Sequence, residues 1–262
     1  MQLTIDGHTA FCHTGDNPFD PALPTVVLVH GALNDHAVWA RQTRALAARG
    51  FAVLAPDLPG HGRISGPALR SVGALADWLL ALLDAAGVQR ALLAGHSMGA
   101  LVVLEAASRA PQRAAGLALL GATFPMKVAD ALLATALEDE QAAIDMVVAW
   151  SHAASSDPSI ANAARELMRR LAAGSDEALL HTDLAACNAY TNGMTAAATI
   201  TCPVVFVQGT QDKMTPPRKA GALTDAIAHA TTVTVETGHA MMQEAPGAVS
   251  DALLAQAERL VS

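Results

Sequence analysis

Short apolar runs and helical patterns alternate along most of this chain. The runs are rich in Val, Leu and Ala and have the length of strands that are buried on both faces, as in a parallel sheet. Between them, apolar residues recur at helical spacing, and several of these patterns end at a glycine or before a proline. The alternation predicts an α/β protein with a mostly parallel, eight-stranded sheet flanked by helices. The predicted strands are 2–6, 8–13, 25–30, 51–55, 91–94, 115–120, 202–208 and 231–236.

The alternation of strands and helices breaks between residues 123 and 200. This stretch is helical in pattern and contains no convincing strand. We therefore predict a core domain formed by residues 1–122 and 201–262, and a helical cap, or lid, formed by residues 123–200. Open α/β sheets bind ligands at the carboxyl ends of their strands, and the cap is expected to lie over those ends. The candidate cap helices are 130–150, 160–173 and 176–190.

The pentapeptide Gly95-His-Ser-Met-Gly99 lies where a predicted strand meets a predicted helix. In this context the pattern G-x-S-x-G indicates a sharp turn that holds the serine in strained backbone geometry. The hydroxyl of Ser97 is then exposed beside a helix N-terminus, which favours negative charge. Side chains at Gly95 or Gly99 are expected to collide with the neighbouring strand and helix. Ser97 is the candidate nucleophile, and the alternative is a turn that merely contains a serine.

A serine hydroxyl is a weak nucleophile that needs a general base, and the base needs an orienting group. His239 follows the last predicted strand, and the glycine before it allows the chain to turn sharply. Asp212 follows the preceding strand and is the candidate acid. The other position for an acid, after strand 115–120, offers no carboxylate before Asp130. We therefore predict a triad of Ser97, Asp212 and His239.

The chain resembles the α/β-hydrolase fold superfamily, in its lidded and cofactor-free form. The order Ser97, Asp212, His239 is the nucleophile, acid and base order of that fold, unlike the orders of chymotrypsin or subtilisin. The resemblance covers essentially the whole chain except the cap. It implies that the backbone N–H groups of Ala32 and Met98 form the oxyanion hole, and that no metal or organic cofactor is needed. The motifs are His30-Gly31, Asp57-Leu-Pro-Gly-His-Gly62, Gly95-His-Ser-Met-Gly99, Gly209-Thr-Gln-Asp212 and Gly238-His239.

The resemblance implies two-step acyl transfer at Ser97, with a small carboxylic ester, lactone or thioester with an apolar acyl portion as substrate. The serine argues against haloalkane dehalogenase and epoxide hydrolase chemistry, because those relatives use an aspartate as the nucleophile. Carbon–carbon bond hydrolysis stays open, although relatives of that kind have a glycine-rich loop where this chain has Ala32-Leu33. Acyl transfer to an acceptor other than water and ligand reception with slow turnover are further alternatives.

Several other polar residues are predicted to have structural roles. His30 and His61 lie in loops where such relatives brace the rim of the active site. Asp57 is expected to tie its own loop through backbone hydrogen bonds and not to replace Asp212. Tyr190, the only tyrosine, is expected to anchor the return of the cap to the core.

Composition and charge indicate which classes of binding partner and which cellular compartment to expect. The 262-residue chain is 52% hydrophobic and 15% charged, as in a globular protein. Its net charge of −8, with no cluster of Lys and Arg along the sequence, argues against nucleic acid or an anionic membrane surface as partner. No apolar run reaches about 18 residues, and the N-terminal residues lack the pattern of a secretory signal. Sparse, scattered cysteines suit reduced thiols, and we expect a cytoplasmic protein. The cysteines are Cys12, Cys187 and Cys202.

Overall fold

The computed structural model describes residues 1–64 and 66–259, so residues 260–262 of the predicted core domain lie outside the described residues. The strands are β1 (Gln2–Ile5), β2 (His8–His13), β3 (Thr25–Val29), β4 (Ala52–Pro56), β5 (Ala91–His96), β6 (Ala114–Leu120), β7 (Val204–Gly209) and β8 (Ala230–Val235). They form one sheet in the order β1-β2-β4-β3-β5-β6-β7-β8. Strand β2 pairs antiparallel with β1 and with β4, and the pairs from β4 to β8 are parallel. The predicted eight-stranded, mostly parallel sheet is confirmed.

Apolar layers cover both faces of this sheet. Strand β3 shows why its run is continuously apolar: Val27 and Val29 belong to one layer and Val26 and Leu28 to the other, because successive side chains point to opposite faces. The helices outside the predicted cap are α1 (Ala40–Ala48), α2 (Val72–Ala85), α3 (Met98–Arg109), α9 (Gly221–Asp225), α10 (Met241–Glu244) and α11 (Pro246–Glu258). Helices α2 and α3 pack in the first layer, and α1 and α11 pack in the second.

Five helices lie between β6 and β7, in the predicted cap. They are α4 (Asp130–Glu138), α5 (Glu140–Ser151), α6 (Pro158–Ala173), α7 (Leu179–Ala189) and α8 (Gly193–Ala198). The candidate helix 130–150 is two helices, because Asp139 leaves the helical conformation and its side chain accepts a hydrogen bond from the Ala142 N–H. Leu132, Ile144 and Met168 belong to an apolar cluster separate from the two layers on the sheet.

The return of this segment to the core is fixed by a buried glutamate on α3. The Tyr190 hydroxyl donates a 2.6 Å hydrogen bond to Glu105, and the Asn192 amide donates another to the same oxygen. The anchoring role predicted for Tyr190 is confirmed. Beyond it, Ala196 and Ala197 of α8 pack within the layer that contains α3. In the described part of the chain, every helix is too short or too polar to cross a membrane.

Candidate active site

Ser97 lies at the turn between β5 and α3, with φ of 54° and ψ of −117°. Its backbone N–H donates to the carbonyl of Leu120, at the end of the neighbouring strand β6. A Cβ atom on Gly95 would overlap the Gly99 carbonyl, and one on Gly99 would overlap the Val29 carbonyl. Both glycines are therefore required for the helix to leave the strand at this angle, as the sequence predicts.

The sheet register brings the other predicted loops to the same edge. Val29 pairs with Gly95, so the loop after β3 begins beside the serine turn. Gly209 pairs with Val235, and the loops that carry the predicted acid and base begin beside each other. A Cβ atom on Gly209 would overlap the Gly238 carbonyl, which shows how closely these two loops approach.

The structure places Asp212 and His239 in direct contact. Asp212 Oδ2 lies 2.7 Å from His239 Nδ1 and accepts a 2.7 Å hydrogen bond from the Thr215 hydroxyl. Asp212 Oδ1 accepts bonds of 2.8 Å from the N–H groups of Met214 and Thr215. Burial alone would raise the pKa of Asp212, but His239 and these donors hold it far below its ordinary value. Because an ionised carboxylate only accepts, the proton lies on His239 Nδ1 and Nε2 is free to take one.

Ser97 and His239 line one cavity, although no hydrogen bond joins the two side chains among the described residues. Catalytic hydrogen bonds commonly tighten only when substrate binds. His96, beside the serine, donates through Nε2 to the His239 carbonyl at 2.9 Å. Burial and the neighbouring His239 ring lower the pKa of His96 to about 3, so this histidine is neutral and its hydrogen bond holds the backbone at His239.

The backbone N–H groups of Ala32 and Met98 have no hydrogen-bond acceptor among the residues described. Met98 is the first residue of α3, where helical N–H groups lack internal acceptors, and Ala32 lines the cavity beside Ser97. Two unsatisfied donors near a nucleophile are what an oxyanion requires. The predicted oxyanion-hole residues are therefore available in this arrangement.

Asp183, on α7 of the predicted cap, holds the loop that contains Ala32. Asp183 Oδ2 accepts a 2.8 Å bond from the Leu33 N–H, where the backbone has φ of 46°. The same oxygen accepts a 2.9 Å bond from His61 Nε2, and His61 Nδ1 lies 3.1 Å from the Pro59 carbonyl. Both ring nitrogens therefore face acceptors, an arrangement that favours the protonated form of the ring beside this buried carboxyl group. Burial would lower the pKa of His61, but Asp183 raises it above its ordinary value.

Asp183→Asn should lower the free energy of unfolding by about 3 kcal/mol, because removing one partner leaves a buried group unpaired. A raised His61 pKa gives stability that is complete below the ordinary pKa of histidine and disappears as pH rises through the raised value. The difference between wild type and variant should therefore shrink with rising pH in urea unfolding. The exposed cap residue Asp145 is the matched control, and Asp145→Asn should cost less than about 1 kcal/mol. Equal, pH-independent costs for both variants would contradict the buried ion pair.

The rim-bracing roles predicted for His30 and His61 are confirmed. Beside the His61 contacts, His30 Nδ1 donates to the Gly31 carbonyl and Nε2 accepts from the Leu58 N–H. Asp57 accepts from the N–H groups of His36 and Arg63. It ties its loop as expected.

A group that could ligate a metal lies apart from the cavity lining. The acceptor atoms of Asp35, His36 and Asp57 lie within 4.8 Å of one another. His36 Nδ1 and Asp57 Oδ1 are already hydrogen-bonded to each other at 2.6 Å. None of the three residues lines the cavities that border Ser97.

Two cavities border Ser97. The first, of about 70 Å³, is bordered by His239 and by apolar residues of the cap. His152 also lines it: its Nδ1 donates to the Val148 carbonyl at 2.8 Å, so its buried Nε2 is an acceptor that has no partner among the described residues. The second cavity, of about 190 Å³, shares four residues with the first. These are Ala32, Ser97, Leu184 and Met214.

A profile of the alpha/beta hydrolase family matches residues 26–252, and the chain belongs to that family. Its fold is similar to the enol-lactonase from Burkholderia xenovorans LB400, with a TM-score of 0.86 and 23% identity over the whole of both chains. A thermophilic esterase from Thermogutta terrifontis has a TM-score of 0.85 and 21% identity over 100% of this chain and 99% of its own. Both likenesses establish the fold, and the resemblance deduced from the motifs is confirmed.

Two curated relatives are similar in sequence to this chain over only part of its length. An epoxide hydrolase from Caballeronia sordidicola is 37% identical over 97 residues, which are 34% of this chain and 28% of that protein. The dihydrolipoyllysine-residue acetyltransferase component of an acetoin cleaving system from Pseudomonas putida is 47% identical over 97 residues, 36% of this chain and 26% of that protein. The match thus spans less than a third of the length of these relatives.

Proposed function

We propose that this protein is a serine hydrolase that cleaves small carboxylic esters, lactones or thioesters through an acyl-enzyme on Ser97. The observation that carries the proposal is the arrangement of three side chains, of which two line one cavity and the third contacts the second. Ser97 stands at a strained turn before α3, His239 lines the same cavity, and Asp212 orients its ring. This is the arrangement that activates a hydroxyl nucleophile.

In the first step, Ser97 Oγ forms a bond to the substrate carbonyl carbon while His239 Nε2 takes the hydroxyl proton. Asp212 keeps the other ring nitrogen protonated and stabilises the imidazolium. The carbonyl oxygen becomes an oxyanion, which the N–H groups of Ala32 and Met98 stabilise. Each such donor is worth about 10²–10³ in rate.

The tetrahedral intermediate collapses when the bond to the leaving oxygen, or to the sulfur of a thioester, breaks, and the imidazolium of His239 gives its proton to that atom. The alcohol or thiol departs, or the alcohol stays attached to the acyl chain when the substrate is a lactone. Water then attacks the acyl carbon while His239 again acts as general base, and the carboxylic acid is released with Ser97 restored. No step requires a metal or an organic cofactor.

The cap is proposed to shape the substrate site. Val148 of α5, Met168 of α6 and Leu184 of α7 line the first cavity, and their apolar side chains favour an apolar acyl chain of modest length. Because α8 packs within the core layer, the movable part of the cap is proposed to end before Tyr190. Deletion of the whole of residues 123–200 would therefore remove part of the core.

Esterase and enol-lactonase neighbours support this proposal through the fold. The similarity to epoxide hydrolases does not lead us to propose epoxide hydrolysis, because the nucleophile position of this chain holds a serine. A serine ester of the acyl group, once formed, is a competent intermediate for hydrolysis, and Ser97 is the group that would carry it.

The test is hydrolysis of p-nitrophenyl esters from acetyl to decanoyl, combined with labelling by a fluorophosphonate. We expect turnover that is fastest for short acyl chains, and one phosphonyl group on Ser97 in peptide mass spectra. Ser151, which lines the same cavity, is the internal control and should stay unlabelled. Turnover without labelling of Ser97, or no turnover of esters and lactones by a folded sample, would overturn the proposal.

A further inference from the structure

All three lysines of this chain line a single cavity. Lys127 precedes the cap helices, and Lys213 and Lys219 lie on the loop that carries Asp212. Lys127 is remote in sequence from the other two, yet all three line the second cavity, which also reaches Ser97. The chain as a whole has a net charge of −8. The lining of this cavity therefore has the opposite sign of charge to the protein as a whole.

Among the described residues, no acidic side chain forms a salt bridge with the lysines of this cavity. No Asp or Glu is among the residues that line it. In the described part of the chain, the salt bridges use arginine or histidine as the cation, and none involves a lysine. Lys127 Nζ donates one 3.2 Å bond to the Asn188 carbonyl. The nearby Asp212 carboxylate is buried and already accepts four hydrogen bonds.

The rest of the cavity lining is largely apolar. It includes Met126, Leu132, Leu184 and Met214, with Trp150 partly exposed. The lysine residues are all exposed, so their charges face solvent. A cleft with low-dielectric walls and charges of one sign focuses the field and attracts a substrate of opposite charge. The lining therefore suits a molecule that is apolar near the scissile bond and negatively charged at its far end.

We propose that the natural substrate is an ester or lactone with a carboxylate at the end of an apolar chain, and that Lys127, Lys213 and Lys219 recognise this carboxylate in the second cavity. The inference rests on the proposed function, since it places the scissile carbonyl at Ser97. Beyond that function, the inference specifies the negative charge of the substrate and the three lysines that recognise it.

The first experiment compares matched substrates at neutral pH. In the acyl-side pair, the monoethyl ester of adipic acid is compared with an ethyl ester whose terminal carboxylate is replaced by an isopropyl group. In the alcohol-side pair, both compounds are butyrate esters. The alcohol portion ends in a carboxylate in one compound and in an isopropyl group in the other. In at least one pair, kcat/KM should be about tenfold higher for the charged ester, since each exposed ion pair contributes a factor of up to about five. The preference should fall with added salt.

The second experiment removes the charges. The triple variant Lys127→Gln, Lys213→Gln, Lys219→Gln should lose the preference, mainly through a higher KM for the charged ester, and should lose far less kcat/KM for the neutral ester. The control variant Arg44→Gln, Arg49→Gln, Arg70→Gln loses the same charge from exposed ion pairs outside both cavities. It should keep the preference.

A binding measurement separates the inference from the proposed function. Calorimetric titration of Ser97→Ala with the intact esters should give a Kd about tenfold lower for the charged member of the preferred pair. Turnover of neutral esters with equal kcat/KM and equal Kd across both pairs would overturn the inference alone. Tighter binding of the charged ester without any turnover would support the inference and count against the proposed function. A preference that survives in the triple lysine variant would also overturn the inference.

Discussion

Replacing Ser97 with alanine should lower kcat for ester hydrolysis by a factor on the order of 10⁶, as when the nucleophile of a serine protease is removed. The side chain that forms the acyl-enzyme is lost, while Ala32, Met98 and the apolar lining that bind substrate stay in place. KM should therefore change little. Turnover of p-nitrophenyl butyrate at high enzyme concentration, corrected for spontaneous hydrolysis, measures both constants.

The fold should survive this substitution. Alanine keeps the Cβ atom of Ser97, and the positive φ of 54° strains both residues alike. The matched control is Ser151→Ala, which removes another hydroxyl from the same cavity and should keep kcat within a few fold of wild type. A residual rate in Ser97→Ala near that of Ser151→Ala would mean that another group is the nucleophile.

The fold was largely predictable because its constraints are local. The strand β3 is a continuous apolar run since both of its faces pack against helices, and burial on two faces leaves that mark on a short segment. The serine turn is recognisable from five residues, because Gly95 meets the Gly99 carbonyl within the motif, although Gly99 itself meets the backbone of Val29 on β3. The start of α2 is local as well, because the Ser71 side chain accepts a hydrogen bond from the Ala74 N–H, as an N-cap serine does.

Helix boundaries in the less regular segments depended on single side chains. Asp139 stops α4 and caps α5, although the alanine-rich pattern continues through it. Between β7 and β8, the chain forms only a 3₁₀ turn followed by the short helix α9. There the Thr224 hydroxyl donates a hydrogen bond to the Gly221 carbonyl. This bond competes with the backbone hydrogen bonds that would continue the helix.

The supporting residues of the site could not be deduced, because their partners are remote in sequence. Asp183 meets Leu33 across 150 positions, and no spacing rule relates them. The grouping of the lysines likewise exists only once the cap is folded against the loop after β7. Thr215 was within reach of sequence reasoning, since Asp-x-x-Thr after a strand is a turn in which the aspartate accepts the following N–H groups.

Asp212→Asn should lower kcat by about 10⁴ with little change in fold, as in serine proteases that lose the same charge. The N–H groups of Met214 and Thr215 both point at Oδ1, so an asparagine would place its carbonyl oxygen there. The amide nitrogen would then face His239 Nδ1 and donate to it. The imidazole would carry its proton on Nε2, towards Ser97, and could not accept the hydroxyl proton.

The buried Asp57 provides the comparison for this variant, because it is the other carboxylate considered as the acid. Asp57 accepts bonds from His36 and Arg63, and these contacts lower its pKa although burial opposes them. Asp57→Asn should therefore reduce stability in urea unfolding, while the folded protein keeps kcat within about tenfold of wild type, since its effect on Ser97 is indirect. If Asp212→Asn turned over normally and Asp57→Asn were inactive but folded, the acid would be Asp57. The expected opposite result would assign the orienting charge to Asp212, because only its replacement changes the tautomer of the base.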